Sequence, residues 1–444
     1  MDINAILKRN GWIERADFPS VVKWASAHRA EFHSEDNLLR AVTAQFSAVE
    51  KKIEMRERPV DYRLWLSPDL PVDGNAIDQL KTALSLPVAL GGAGMPDLHL
   101  GYSLPIGGVV VLDHAISPAF VGYDISCMMM LTVLGDRQIA PAELEKEKVR
   151  QKFLNWMLQS TSFGLGSATS GLDHPVMHSP VWKESNYVKS LKDLAASQLG
   201  SSGAGNHFAD IVQGCYPNGE TFIGLLTHSG SRGVGNKVGH HYSELADRSA
   251  EKKYKFPRGY GWFDLDSDLG NEYKAVMELM GQYAQANHEL IHKRFLEVSG
   301  LERKEVFSNK HNFAWEDSEG RVYHRKGATP AHAGQMGIIP GSSGSESYLV
   351  AGKGNPDSWY SASHGAGRRY SRSEAKRRYD AGNFEKHMRK NNITYHGVAA
   401  DETISAYKDI NQVIQAQLDL VDIIAVMVPK VVVMGGTLKT DDGD

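Results

Sequence analysis

The chain has 444 residues, 41% of them hydrophobic and 23% charged, with 43 glycines; this excludes a disordered or fibrous protein and allows a large buried core. A net charge of −4 excludes a protein that coats nucleic acid with its whole surface. Cations nevertheless crowd one short span, Arg368, Arg369, Arg372, Lys376, Arg377 and Arg378, which suits a local anionic partner. No apolar run approaches a membrane span, the N-terminal MDINAILKRN lacks the pattern of a secretory signal, and Cys127 and Cys215 are the only cysteines. The expected compartment is therefore the cytoplasm.

Residues 1–57 carry apolar side chains at helical spacing, from Ile6, Leu7 and Trp12 to Leu38, Val42 and Phe46. They predict a helical N-terminal extension that ends near Arg58-Pro59. A short helix is expected over Ala76–Leu86. Apolar runs at Val109–Leu112 and Met128–Leu134, bounded by glycines, predict strands. Between them, Asp124 and Cys127 are close enough for a carboxylate and a thiolate to face one metal ion, or for the thiolate to bridge two; packing is the plain alternative for the cysteine. Asp97 and His99, in a Pro-Asp-x-His turn, are placed to support such ligands from behind.

After a helical stretch over Pro141–Leu158, a glycine-rich loop delivers Asn206 and His207 into a strand. A second strand, Phe222–Leu226, ends at His228 and is followed by a serine-glycine loop carrying Arg232. Strand ends followed by such loops are where α/β proteins place sites. Neither a Walker A sequence nor G-x-G-x-x-G after a strand occurs. His240 and His241 read as ordinary helix residues. His288-Glu-Leu-Ile-His292 matches the zinc-protease pattern H-E-x-x-H, yet also fits a structural helix over Asn271–Phe295.

His311 follows, then Lys326, Ser342 and Ser347 as phosphate contacts. Next comes Ser361–Arg372, SASHGAGRRYSR, where small residues clear space around His364 and arginines supply forks matched to phosphate. A helix is expected over Ser373–Tyr379, another over Asp409–Ile424, and a last strand from Lys430. A catalytic domain over 58–436 and a disordered tail over 437–444 complete the expected organisation.

The segments DISC, GNHF, HSGSRG, HNFA and SASHGAGR, in this order, resemble the RtcB family of GTP-dependent RNA ligases over about residues 61–435. The resemblance implies a mixed α/β fold with central mixed β-sheets surrounded by helices. It also implies joining of RNA 3′-phosphate or 2′,3′-cyclic phosphate ends to 5′-hydroxyl ends with GTP and a pair of manganese ions, in RNA repair or tRNA splicing, sometimes with an archease-like activator. By motif, His364 is implied as the nucleophile that accepts GMP. Cys127 is implied as the bridging thiolate, with Asp124 and His207 on one ion and His228 and His311 on the other. Asn206, Phe208, Asp210, Ser347, Ala366 and Tyr407 are implied to hold the guanylate, and Arg232, Lys326, Arg368 and Arg372 to meet phosphate and RNA. The donor set alone suits zinc equally, so manganese follows from the resemblance.

The chain departs from the family pattern at several points. Met434-Gly435 stands where the family usually ends in lysine-glycine, which predicts that Lys430 or Lys439 takes over guanine contact or that nucleotide preference relaxes. Asp210 stands where glutamate is usual. The competing readings are a metal-dependent phosphoesterase or cyclic phosphodiesterase without guanylylation, a zinc protease using His288 and His292, and a non-catalytic RNA-binding module.

Overall fold

The computed structural model describes residues 2–14, 18–46, 52–135, 139–164 and 166–436; the expected tail over 437–444 lies outside them. Helices α1 (Ile3–Arg9), α2 (Phe18–Ala27) and α3 (Glu35–Gln45) form the start of the chain. Asp2 and Ser34 cap α1 and α3 by accepting the amides of Ala5 and Asn37 at 3.0 and 3.1 Å. Ile3, Ile6, Leu7, Val21, Ala25, Leu38 and Val42 close a cluster of their own. Helical patterning was expected to run to residue 57, but Ile53–Glu54 instead pairs in parallel with Tyr254–Lys255.

A five-stranded sheet follows, from β1 (Tyr62–Leu64), β2 (Ala89–His99) and β3 (Ile106–Asp113), with helix α4 (Gly74–Leu84) packed against β2 and β3. A larger sheet begins with β4 (Met128–Leu134) and continues, after helix α5 (Glu147–Ser160), with β5 (Phe208–Cys215) and β6 (Thr221–Ser229). Helices α6 (Arg232–Ala250) and α7 (Asp268–Ser299) come next. They are followed by β7 (Arg303–Lys310), β8 (Asn312–Glu316), β9 (Arg321–Lys326), β10 (Met336–Ile339) and β11 (Ser347–Gly352). Helices α8 (Arg372–Arg378) and α9 (Ala381–Lys390) precede β12 (Thr394–His396), and the long β13 (Val421–Met434) ends the sheet. The smaller sheet has the order β8-β9-β3-β2-β1. The larger has β7-β4-β6-β5-β13-β11-β10, with β12 beside β13.

The expected helix over Asp409–Ile424 is much shorter, Ile410–Gln415, and β13 begins at Val421 rather than Lys430. Pairing with β5 on one side and β11 on the other overrides helical spacing in this β-branched run.

The larger sheet rolls until its edge strands β7 and β10 nearly meet. Asn309 on β7 bridges them: its amide nitrogen donates to the Ile338 carbonyl at 3.3 Å and its amide oxygen accepts the Ile338 amide at 2.9 Å. One side-chain amide thus does what a strand ladder would do. Alternation along each strand then sorts the residues. Met129, Leu131, Val133, Val212, Leu226, Leu349 and Met427 fill the inside. Leu134, Ile211, Leu225, Val431 and Val433 face outward against Phe153 and Met157 of α5 and Phe295 of α7.

The H-E-x-x-H segment lies on α7 and is structural. His288 Nδ1 and His292 Nε2 both meet the Thr227 hydroxyl, at 2.6 and 2.7 Å, and His292 Nδ1 meets Thr132 at 2.7 Å. These hydroxyls satisfy rings buried beneath the sheet, while Glu289 points away to Gln285 and His174. The helix therefore offers no zinc-protease arrangement.

Two outcomes are expected. Asn309→Ala strands two buried backbone groups and should cost about 2 kcal/mol, read as a lower urea midpoint at unchanged slope. Burial also pushes His288 down to about 4, His324 down to about 3 and His292 well below the ordinary value of 6.5. Below 6.5 the unfolded chain takes up protons that the folded chain refuses, so stability present above that pH is lost as pH falls toward 4. A urea midpoint for metal-free protein that stays flat from pH 7 to pH 4 would contradict this.

Candidate active site

The sheet geometry brings the chemistry to one mouth of the rolled sheet. Phe208 and Asp210 alternate on β5 and pair across to Met434 and Val432, and Phe208 pairs with His228 on β6. These side chains line a cavity of about 210 Å3, together with Asn206, Ser342, Ser347, His364, Ala366, Arg368, Arg372, Glu402 and Tyr407.

At one end, His228 Nε2 lies 3.0 Å from Cys127 Sγ and 3.3 Å from His311 Nε2, and His207 Nε2 lies 3.4 Å from the same sulfur and 2.9 Å from Asp124 Oδ2. The loop leading to β4 supplies Asp124 and Cys127, the start of β5 supplies His207, and His311 joins β7 to β8. His228 Nδ1 donates to the Asn206 carbonyl at 3.0 Å, which leaves the Nε2 lone pair facing the cluster. Burial drives the pKa values of His228 and His311 well down and that of the Cys127 thiol well up. Burial works to raise the Asp124 carboxyl as well, but His207 overcomes it and holds the carboxyl below its ordinary value.

The donor atoms of Cys127, His207 and His228 all lie within 4.8 Å of one another, and buried His311 Nδ1 has no partner among the described residues. Lone pairs aimed at one another across about 3 Å repel unless a proton or a cation lies between them. The thiolate, imidazole and carboxylate set therefore fits a divalent transition metal, whose binding displaces the thiol proton.

Beside this cluster stands His364, just after the short strand Ser361–Ser363. Its Nδ1 lies 2.6 Å from Asp97 Oδ2, which also accepts the His364 amide at 3.2 Å. Asp97 is fully buried. Holding Nδ1–H on a carboxylate leaves the lone pair on Nε2. The His364 ring lies 5.0 Å from that of His311, so His364 and the Cys/His/Asp cluster adjoin. Gly367 makes the approach possible: at φ +71°, a Cβ there would fall 2.4 Å from the Asp97 carbonyl. Asp97 was expected to stand behind metal ligands. It holds His364 instead, and a Pro-Asp-x-His turn 267 residues away in sequence carried no signal of that pairing.

The cations divide. Arg232 opens α6 and sets its guanidinium 3.5 Å from His207 Nδ1. Gly203 permits this, since a Cβ there would lie 1.8 Å from the guanidinium. Arg368 and Arg372 line the cavity but are tied to Glu402 and Asp401, with Arg368 donating to Glu402 at 3.3 Å and Arg372 to Asp401 at 2.7 Å. Tyr407 also donates to Glu402. This acidic counterpart, Asp401 and Glu402, carries no motif and is the second feature that sequence reading missed. Lys326 stands apart: its ammonium serves the carbonyls of Tyr102 and Ala119, and burial lowers it to about 7. Lys430, expected as a substitute for the missing C-terminal lysine, pairs with Glu145 at 2.5 Å and does not line the cavity; Lys439 lies outside the described residues.

A family model described as tRNA-splicing ligase RtcB matches residues 79–435. The chain is 30% identical over 404 residues to the RNA-splicing ligase RtcB of Escherichia coli K12, covering 84% of this chain and 97% of that protein. It is 29% identical over 431 residues to the tRNA-splicing ligase RtcB of Thermococcus kodakarensis, covering 77% and 87%. To that of Archaeoglobus fulgidus it is 28% identical over 423 residues, covering 76% and 86%. With five ordered motifs converging on one mouth and the family model spanning most of the chain, the protein belongs to the RtcB family.

Proposed function

We propose that the protein is an RNA ligase that joins RNA 3′-phosphate or 2′,3′-cyclic phosphate ends to 5′-hydroxyl ends, with GTP as co-substrate and manganese as metal, in RNA repair or tRNA splicing. The observation that carries this reading is His364, oriented by Asp97, at the junction of a nucleotide-sized cavity and a Cys/His/Asp cluster. A phosphoesterase needs the cluster but has no use for so placed a nucleophile.

In this reading His364 Nε2 attacks the α-phosphorus of GTP. A P–N bond forms, the bond to the bridging oxygen breaks, and pyrophosphate leaves. Asp97 keeps the proton on Nδ1 throughout. An oxygen of the RNA 3′-phosphate then takes GMP from His364, and the 5′-hydroxyl oxygen attacks the activated phosphorus, loses its proton and expels GMP. Asp124, Cys127, His207, His228 and His311 would hold manganese, which when bound would supply positive charge to the phosphate oxygens. Asn206, Phe208, Ser347, Ala366 and Tyr407 hold the nucleotide, and Asp210 offers a carboxyl to the base. Burial raises that carboxyl well above its ordinary pKa, so a guanine N–H donor would favour its ionised form. Arg232, Arg368 and Arg372 face phosphate. Lys326 acts through the loop whose carbonyl it holds.

We assign catalysis to residues 58–436, with 1–57 as an attachment, and include a cytoplasmic setting and an archease-like activator in the proposal. Both cysteines are free, which supports a reducing compartment. No helix among the described residues is long and apolar enough to cross a membrane.

Incubation with manganese and α-labelled GTP should place an acid-labile label on the wild type and none on His364→Ala. ATP labelling as strong as GTP would show that Met434 relaxes base selection. No label on metal-loaded protein would overturn nucleotidyl transfer. Asp97→Asn, which disturbs the proton position but not the fold, should slow labelling by about 100-fold, checked by single-turnover kinetics.

A further inference from the structure

A row of aromatic rings, Tyr102 and His240 exposed and Tyr123 half-buried between them, leads toward the Cys/His/Asp cluster, and none of these side chains has a part in the chemistry above. Between β2 and β3, Leu100 and Tyr102 remain 49% and 72% exposed. Their loop is nonetheless built rigidly. Gln79 holds Gly101 in both directions, at 2.7 and 3.1 Å, Tyr260 donates to the Ser103 carbonyl at 2.8 Å, and Lys326 donates to the Tyr102 carbonyl.

The Tyr102 ring lies 5.9 Å from that of Tyr123, which stacks on His240 at 3.7 Å with 17° between the planes. Tyr123 immediately precedes Asp124, the carboxylate that meets His207. The backbone that carries the Tyr123 ring therefore runs directly into the cluster. Lys237 and His240 lie one turn apart on α6, both exposed, and Arg258 adds positive charge near the Tyr123 hydroxyl. Asp247 and Glu244 act on the same hydroxyl more strongly than Arg258, although Asp247 is turned to the amides of Gly259 and Gly261 at 2.8 and 2.9 Å and Glu244 faces Arg248 at 3.7 Å.

Large rings held in water by a pinned backbone forgo burial, which marks a binding surface rather than a packing residue. Unpaired bases at an RNA end present flat faces that stack on such rings whatever the sequence, with cations beside them for the backbone. We propose that Tyr102, Tyr123 and His240 form a stacking platform for the unpaired terminal bases of an RNA end whose terminal phosphate lies at the Asp124 cluster. This rests on the RNA-ligase reading of that site. The platform grips any terminal base, so it selects single-stranded ends over blunt duplexes.

The test uses the full chain and a single-stranded oligoribonucleotide with a 3′-phosphate and 2-aminopurine as its terminal base. Wild type should quench the fluorophore by stacking. Tyr102→Ala should lose most of the quenching and bind about tenfold more weakly, with GTP labelling of His364 unchanged, and Tyr102→Phe should restore both. End joining by Tyr102→Ala should show a raised KM for RNA at an unchanged kcat. Quenching absent in wild type, or unaltered in Tyr102→Ala, overturns the platform even where ligation proceeds. Tyr102-dependent quenching in a wild type that neither labels nor ligates keeps the platform and overturns the ligase reading instead.

Discussion

The contact between Asp97 and His364 ties the two sheets together at the site, above a core in which Ala93, Met95 and Val109 of one already pack with Ile339, Tyr348 and Val350 of the other. Asp97 belongs to the five-stranded sheet, whereas the cluster around Cys127 and most of the cavity wall belong to the rolled sheet. Oδ2 of this buried carboxylate accepts from both the amide and the ring of His364, while Oδ1 has no partner among the described residues. Lys408 reinforces the junction by donating to the carbonyls of Pro96 and Leu98 at 3.1 and 2.9 Å. Strand β2 is therefore held on both sides of Asp97. The imidazole is fixed in tautomer and direction before any substrate arrives, which is what a nucleophile toward phosphorus needs.

The rolled sheet supplies the complementary constraint. Because side chains alternate, a strand that buries Val212 inside must also turn Asp210 and Phe208 inward, and one that buries Leu226 must turn His228 inward. Near the middle the inner face is apolar and closed. At the mouth the same face becomes polar and open to the cavity. Closure by Asn309 makes that mouth a defined ring of positions rather than a splayed edge. Function sits where the sheet's hydrophobic filling stops.

Charge is arranged with equal economy. Burial disfavours the charged forms of His228 and His311, so these rings offer lone pairs rather than repelling a cation. The arginines of the cavity are not free charges, since Glu402 and Asp401 hold Arg368 and Arg372 in place. A guanidinium already oriented loses little entropy when a phosphate arrives, although part of its field is offset by the acid behind it. The other cations of that span differ. Arg369 and Arg378 flank Tyr370 at the surface and do not line the cavity.

Local chemistry made much of this legible in the amino-acid sequence. Glycine-flanked histidines, a carboxylate three residues before a cysteine, and apolar runs of strand length need no distant partner to be recognised; they singled out residues that the fold gathers around one cavity, and they gave the strand Met128–Leu134 to the residue. The tertiary structure alone decided the rest, because it depended on residues far apart in the chain. Asp97 meets His364 across 267 positions, Glu402 answers two arginines from a turn with no motif, and β13 is a strand because two neighbours pair with it. The H-E-x-x-H segment shows the same limit from the other side. Its spacing is right for zinc, but only packing reveals that threonine hydroxyls already fill the coordination its rings could offer.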